Sequence, residues 1–108
     1  HIEAKTEIEY RREQILSNVS LYEDQIQTIK EENAQLRTTI ENVRKRNEDL
    51  EQSKRYSTDK EIVQINTDIE ANTRYIEQLE EQIISNNRDI TELQEKIENT
   101  KKQAEELK

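Results

Sequence analysis

The sequence predicts an all-α protein, a long heptad-repeat coiled coil. The 108 residues include no Gly and no Pro, 39% of them are charged and only 30% are hydrophobic. The few apolar residues recur at alternating steps of three and four, which places them in one narrow stripe along a helix. A single helix with so narrow a stripe has nothing to bury it against. The helix must therefore pair with another chain or fold back on itself.

The first part of the chain divides into two segments. Residues 1–14 predict a frayed or weakly paired helical start, and residues 15–50 a first coiled-coil segment. We expect the dimerisation core of this segment to consist of Ile15, Val19, Tyr22, Ile26, Ile29, Leu36, Ile40, Val43 and Leu50. These positions carry the three-and-four spacing, so they share one helix face.

Two amides interrupt this first stripe. Asn33 and Asn47 occupy heptad position a, where a buried Asn is tolerated best in parallel dimers because two amides can bond across the seam. The flanking charges agree with such a pairing. Two interchain ion pairs are predicted, one between Glu32 and Arg37 and one between Arg46 and Glu51. Over residues 26–50 the core pattern resembles a leucine zipper, without its basic region.

The stretch 51–61, "EQSKRYSTDKE", is a polar register break. The second stripe begins one residue later than continuation of the first would place it, and a continuous helix can absorb such a skip by locally unwinding. We therefore predict a continuous but weakened helix here. The alternative is an antiparallel helical hairpin that turns near 56–58, because Thr58 and Glu61 form a capping-box pattern ahead of Ile62.

Residues 62–108 predict a second coiled-coil segment. We expect its core to be formed by Ile62, Ile65, Ile69, Ile76, Leu79, Ile83, Ile90, Leu93, Ile97 and Leu107. Asn72 and Asn86 stand in the d positions of this stripe. The run from Ile69 through Asn72 and Thr73 to Ile76 resembles a repeat from the stalks of trimeric autotransporter adhesins. That resemblance implies an inward Asn72 that holds an anion on a three-fold axis.

The four amides predict how the helices align. Asn33 and Asn47 lie fourteen residues apart, as do Asn72 and Asn86. A slip by one heptad would bury each amide against an apolar layer, so we interpret all four as register-specifying polar core residues. The pattern as a whole favours a parallel homodimer. A trimer and the antiparallel hairpin are the alternatives.

The composition offers no catalytic chemistry. There is no Cys and one His, so no cluster of transition-metal ligands is expected, and without Gly there is no phosphate-binding loop. Carboxylates spread along a helix form no cleft that would perturb their pKa values. We therefore expect a non-enzymatic protein with no catalytic residue, no cofactor and no metal.

Charge and hydropathy limit the partners. A net charge of −8 argues against nucleic acid and anionic membrane surfaces, and no apolar run is long enough to enter a bilayer. The expected partner is a second copy, with a further coiled-coil or docking protein as an additional candidate. Apolar residues off the stripe, where such a protein could dock, are Leu16, Leu21, Val63 and Ile84.

The function predicted from these features is a structural rod that mediates self-association and spacing in a larger cytoskeletal, centrosomal, kinetochore or tethering scaffold. One alternative is the antiparallel coiled-coil arm of a chromosome-organising ATPase, and another is the stalk of a trimeric extracellular fibre. We expect a cytoplasmic location, or an extracellular one for the stalk. Since the chain opens on His1, we also expect it to be a segment of a longer protein.

Overall fold

The computed structural model describes residues 4–107 of the chain. Helix α1 spans Glu7–Ser53, a short 3₁₀ turn spans Lys54–Tyr56, and helix α2 spans Asp59–Glu105. All the regular structure of the described residues is helical, so the all-α prediction is confirmed. The expectations for His1 and for the first three residues of the frayed start lie outside the described residues.

The helices contribute to two compact units, each of which is a pair of antiparallel helices. The turn unit is Glu32–Ser85, which contains the end of α1, the turn and the start of α2. The terminal unit combines His1–Glu31 with Asn86–Lys108. Within the terminal unit α1 runs against α2 in the opposite direction, because Arg12 contacts Ala104 whereas residues further along α1 meet earlier residues of α2.

The helix does not continue through 51–61, so that prediction is wrong. Ser53 still has helical dihedrals, with φ −65° and ψ −18°, but Ser57 is extended, with φ −109° and ψ 151°. The backbone N–H of Ser57 donates to the carbonyl of Lys54 at 3.3 Å, which closes the 3₁₀ turn. The turn unit is instead the hairpin that the sequence left as an alternative.

The helix breaks here because a hairpin and a continuous helix bury the two apolar stripes differently. A continuous helix would have to unwind locally to bring the two stripes into one seam. A reversal at Ser57 removes that requirement, because each stripe keeps its own register and packs against the other within the unit. The turn uses no residue with positive φ, since none occurs among the described residues.

A capping box starts α2. The hydroxyl of Thr58 accepts from the backbone N–H of Glu61 at 3.2 Å, and the Glu61 carboxylate accepts from the backbone N–H of Thr58 at 3.0 Å. These two bonds satisfy amides that have no partner inside the helix. The backbone and side-chain hydrogen bonds with Thr58 lower the pKa of Glu61 below the ordinary range of a glutamate carboxyl.

We expect Thr58→Ala to lower the free energy of unfolding by about 1 kcal/mol, the typical cost of losing an N-cap side chain. Thr67→Ala is the matched control, because the Thr67 hydroxyl only bonds the carbonyl of Val63 in its own helix and the residue is exposed. Urea denaturation followed by circular dichroism measures both variants. Equal losses at the two positions would contradict the capping role of Thr58.

The capping box also predicts a pH dependence. Because the pKa of Glu61 is lowered in the folded state, its stabilising contribution is present above the ordinary glutamate range and is lost as the pH falls through the folded pKa. In an NMR titration of the side-chain carboxyl, Thr58→Ala should move the midpoint of Glu61 upward. An unchanged midpoint would show that the Thr58 hydroxyl contributes nothing and that the backbone N–H of this residue, which the substitution keeps, lowers the pKa of Glu61.

In the described part of the chain, neither helix combines the length and the apolar character that a bilayer-spanning segment requires.

Candidate helix–helix interface

The terminal unit is held by an aliphatic cluster. Val19 and Ile26 from α1 pack with Leu93 and Ile97 from α2, and all four are buried. The side chains of Tyr22, Ile29 and Ile90 cover this cluster from the edges. The ammonium group of Lys96 lies 5.9 Å from the centre of the Tyr22 ring, a cation–π geometry that adds a weak attraction at the exposed rim.

In this unit Arg12 forms hydrogen bonds with backbone carbonyls at the end of α2. Its Nε donates to the carbonyl of Ala104 at 3.2 Å, and one of its terminal nitrogens donates to the carbonyl of Leu107 at 3.0 Å. The last carbonyls of a helix have no partner inside it and carry partial negative charge, so a guanidinium is well suited to them. Ala104 is buried, and its small side chain leaves room for this approach.

We expect Arg12→Ala to lower the free energy of unfolding by about 1 to 2 kcal/mol, because two charge-assisted hydrogen bonds disappear together. Arg11→Ala is the matched control. Arg11 is the neighbouring arginine, and it forms an exposed pair with Glu7 at 3.4 Å, a type of contact that contributes about 0.5 kcal/mol or less.

Hydrogen exchange gives the local readout for Arg12. The backbone N–H of Glu106 donates to the carbonyl of Lys102 at 3.0 Å, so the last turn of α2 has an amide to follow. That amide should exchange faster in Arg12→Ala than in Arg11→Ala. Similar exchange in both variants would show that Arg12 does not hold the end of the helix.

The turn unit has a polar layer in its interface. The side-chain nitrogen of Asn72 donates to the side-chain oxygen of Asn47 at 2.9 Å, which links α1 and α2 across the unit. Both amides are half-buried, and the apolar residues Ile40 and Ile76 are buried in the same unit. No buried side-chain nitrogen or oxygen of the described residues lacks a hydrogen-bond partner. The amides are therefore accommodated within the interface of one chain.

Charged groups flank this layer without being buried. Arg44 pairs with Glu80 across the unit at 3.5 Å, and both side chains are half exposed or more. Near the turn, Lys54 pairs with Glu51 on the same helical segment. Pairs that are open to solvent on at least one side contribute little individually because water screens them. The apolar and amide contacts of the interface supply more of the stability.

A shallow groove of about 260 Å³ lies beside the amide layer of the turn unit. Its lining consists of Arg46, Leu50, Asp68, Ala71 and Asn72. The carboxylate of Asp68 accepts from the side chain of Gln64 at 2.9 Å. The lining has charges of both signs in an open position, without the enclosure typical of a ligand pocket.

Apart from Leu107, which follows the end of α2, the residues expected to form the dimerisation core lie on the inward faces of the two helices. Every one of them is buried or half-buried. In chain order they are Ile15, Val19, Tyr22, Ile26, Ile29, Leu36, Ile40, Val43, Leu50, Ile62, Ile65, Ile69, Ile76, Leu79, Ile83, Ile90, Leu93, Ile97 and Leu107. In each unit this face meets the other helix of the same chain. A role in pairing separate chains stays a prediction.

The other predicted residues have mixed positions. Asn33 and Asn86 are buried, with 2% and 4% of their surface exposed. The residues of the predicted interchain ion pairs are all exposed, namely Glu32, Arg37, Arg46 and Glu51. The off-stripe aliphatic residues Leu16, Leu21, Val63 and Ile84 are exposed as well.

Arg12 is an interface residue that the predicted stripe did not include. It lies three residues before Ile15, on the extension of the same stripe, and it is half-buried. Its charge concealed it, because the stripe was identified by apolar residues alone. A long side chain can lie along an interface while its charged end reaches a polar group, so spacing was the signal that could have found it.

Metal chemistry has no site in the described residues, since no group of three or more His, Cys, Asp or Glu side chains among residues 4–107 could hold an ion. Comparison with known proteins found no matching family model, no matching curated protein and no matching solved structure.

Proposed function

We propose that this chain is a non-enzymatic structural scaffold, an antiparallel helix pair that brings the segments at its two ends together and presents charged helical faces to partners. The observation that carries the proposal is the pair of bonds from Arg12 to Ala104 and Leu107, which join residues more than ninety positions apart. Attached segments would therefore start and finish side by side. The proposed location is the cytoplasm.

Antiparallel pairing fits the alternative function, the coiled-coil arm of a chromosome-organising ATPase. An antiparallel pair suits a spacer whose two ends must lie close together. A parallel rod suits such a spacer less well, because its two ends would be far apart. The stalk of a trimeric fibre has weaker support, because the amide that would bind an anion on a three-fold axis, Asn72, donates to Asn47 in the same chain. Partners that dock on the exposed aliphatic residues Leu16 and Leu21 remain compatible with the scaffold role.

Energy transfer between two dyes tests the proposal. One dye is attached at Glu9→Cys and the other at Glu106→Cys, two exposed positions of the terminal unit. The doubly labelled chain is diluted into excess unlabelled chain at nanomolar concentration, so that only transfer within one chain is measured. A continuous helix would separate the dyes by roughly 145 Å and abolish transfer.

Nearly complete transfer is the expected result. Sedimentation equilibrium in the same dilute solution should then give the mass of one chain. Absent transfer, or a dimer that persists at nanomolar concentration, would overturn the scaffold proposal and favour the parallel rod.

A further inference from the structure

We propose that the turn unit takes a second copy of this chain as its partner by exchanging helices: the hinge at residues 54–58 straightens into helix, and α2 of each chain packs on α1 of the other. This inference rests on the proposed antiparallel scaffold, because the exchanged dimer re-forms the same interface between two chains.

The hinge has no residue that requires a turn. The chain contains neither Gly nor Pro, and no described residue has a positive φ. The 3₁₀ turn at Lys54–Tyr56 already follows a helical path, and Ser57 is the residue whose ψ of 151° reverses the chain. Rotation of a few dihedral angles in ordinary L-residues therefore converts the hinge into helix without a steric penalty. The local unwinding that brings the two stripes into one seam would then occur at or near the hinge, where no buried side chain is displaced.

The hydrogen bonds given for the hinge among residues 4–107 are local. Ser57 bonds Ser53 through its hydroxyl at 2.7 Å, and Thr58 bonds Glu61 in the capping box. Tyr56, the aromatic residue of the hinge, is 92% exposed and so buries nothing against the helices. Opening the hinge thus breaks a cap and a turn while the helix-to-helix contacts can all be remade. Exchange of an identical element between copies is a general route to dimers under these conditions.

The amide pair fixes where a two-fold axis would lie, just beyond the hinge at the start of α2. Asn47 lies level with Asn72, and the midpoint between these two residues falls between Asp59 and Lys60. A two-fold axis at that midpoint would set Asn47 of each chain against Asn72 of the other. It would also bring Asp59 of one chain to the level of Lys60 of the second copy, where opposite charges attract. The exchanged dimer therefore keeps the amide layer and gains a charge-matched centre.

Two hinge variants should move the equilibrium in opposite directions. Thr58→Ala removes the cap that favours the closed turn and adds a strong helix former. Because the dimer contains two hinges and each loses its cap, the dissociation constant of the dimer should fall by about thirty-fold. Asp59→Pro places proline at the first position of α2, where proline fits a closed turn but disrupts a continuous helix. This variant should stay monomeric while circular dichroism shows its helicity retained.

Spin labels on α1, in a chain whose hinge residues are unchanged, distinguish the exchanged dimer from a side-by-side dimer of closed hairpins. A single label at Glu48→Cys should lie about 35 Å from its twin in the exchanged dimer, and one at Lys45→Cys about 44 Å, because each residue further from the axis adds about 3 Å. Both positions are exposed in the turn unit. Electron–electron dipolar spectroscopy measures these distances, and a side-by-side dimer does not follow this progression.

Sedimentation equilibrium from micromolar to millimolar concentration completes the test. The expected result is a monomer that dimerises at the high end, more readily with Thr58→Ala and not with Asp59→Pro. A chain that stays monomeric throughout, even as Thr58→Ala, overturns the exchange but leaves the scaffold proposal intact if energy transfer is high at nanomolar concentration. A dimer with label distances outside the progression, or one unaffected by Asp59→Pro, also overturns the exchange.

Discussion

Ile76→Ala should lower the free energy of unfolding by about 2 to 4 kcal/mol, whereas Ile84→Ala should change it by less than about 0.5 kcal/mol. The two residues have the same side chain, lie in α2 and belong to the turn unit. They differ in exposure, since Ile76 is 8% exposed and Ile84 is 60% exposed. The difference between the variants therefore isolates burial in the interface.

The expected loss at Ile76 follows from removing buried methyl and methylene groups and from the space they leave. A two-helix interface is thin and open to water at its rims. We therefore expect the loss in free energy of unfolding to lie in the lower part of the range for replacing a buried isoleucine with alanine. Alanine also has a higher helix propensity by about 0.4 kcal/mol, and this offset acts equally at both sites. Urea denaturation at a fixed chain concentration measures both values. Equal effects would mean that Ile76 does not face the other helix.

The second large effect concerns the amide pair. Asn72→Leu alone should cost about 1 to 2 kcal/mol, because it leaves the half-buried amide of Asn47 without its partner. The double variant Asn47→Leu with Asn72→Leu should be more stable than the original chain, since two apolar side chains then face each other. The sign of the effect thus reverses between one substitution and two.

A double-mutant cycle measures this coupling, and we expect an interaction energy of about 1 to 3 kcal/mol. Asn66→Leu is the control, because Asn66 is an exposed amide of the same helix and has no such partner role. A cycle without coupling would show that the two amides act independently.

The gain in stability should come with a loss of alignment. An amide layer matches only one register, whereas leucine layers accept a slip of one heptad, which displaces the helices by about 10 Å. Spin labels at Glu48→Cys and Glu70→Cys, both exposed in the turn unit, report the register. Their distance distribution should broaden in the double leucine variant and stay narrow in the Asn66→Leu control. A narrow distance distribution in all variants would show that contacts other than the amide pair set the register.

Local patterns carried a large part of the fold. The three-and-four spacing identified the inward face of each helix, because helical periodicity depends only on neighbouring residues. The polar stretch 51–61 contains the whole interruption between α1 and α2, and the Thr58 and Glu61 pattern forms the capping box. These features involve contacts within four residues, so composition and spacing were sufficient to find them.

The sequence by itself thus determined the helices, their buried faces and the position of the break. The tertiary structure decided what each face meets: Asn47 bonds Asn72 of the same chain, and Arg12 reaches the carbonyls at the end of α2. An apolar stripe is equally satisfied by a parallel twin or by its own chain turning back, so periodicity cannot choose between them. The choice depends on the balance between a closed turn and a continuous helix, and on pairings between residues far apart in the chain, neither of which a local pattern contains.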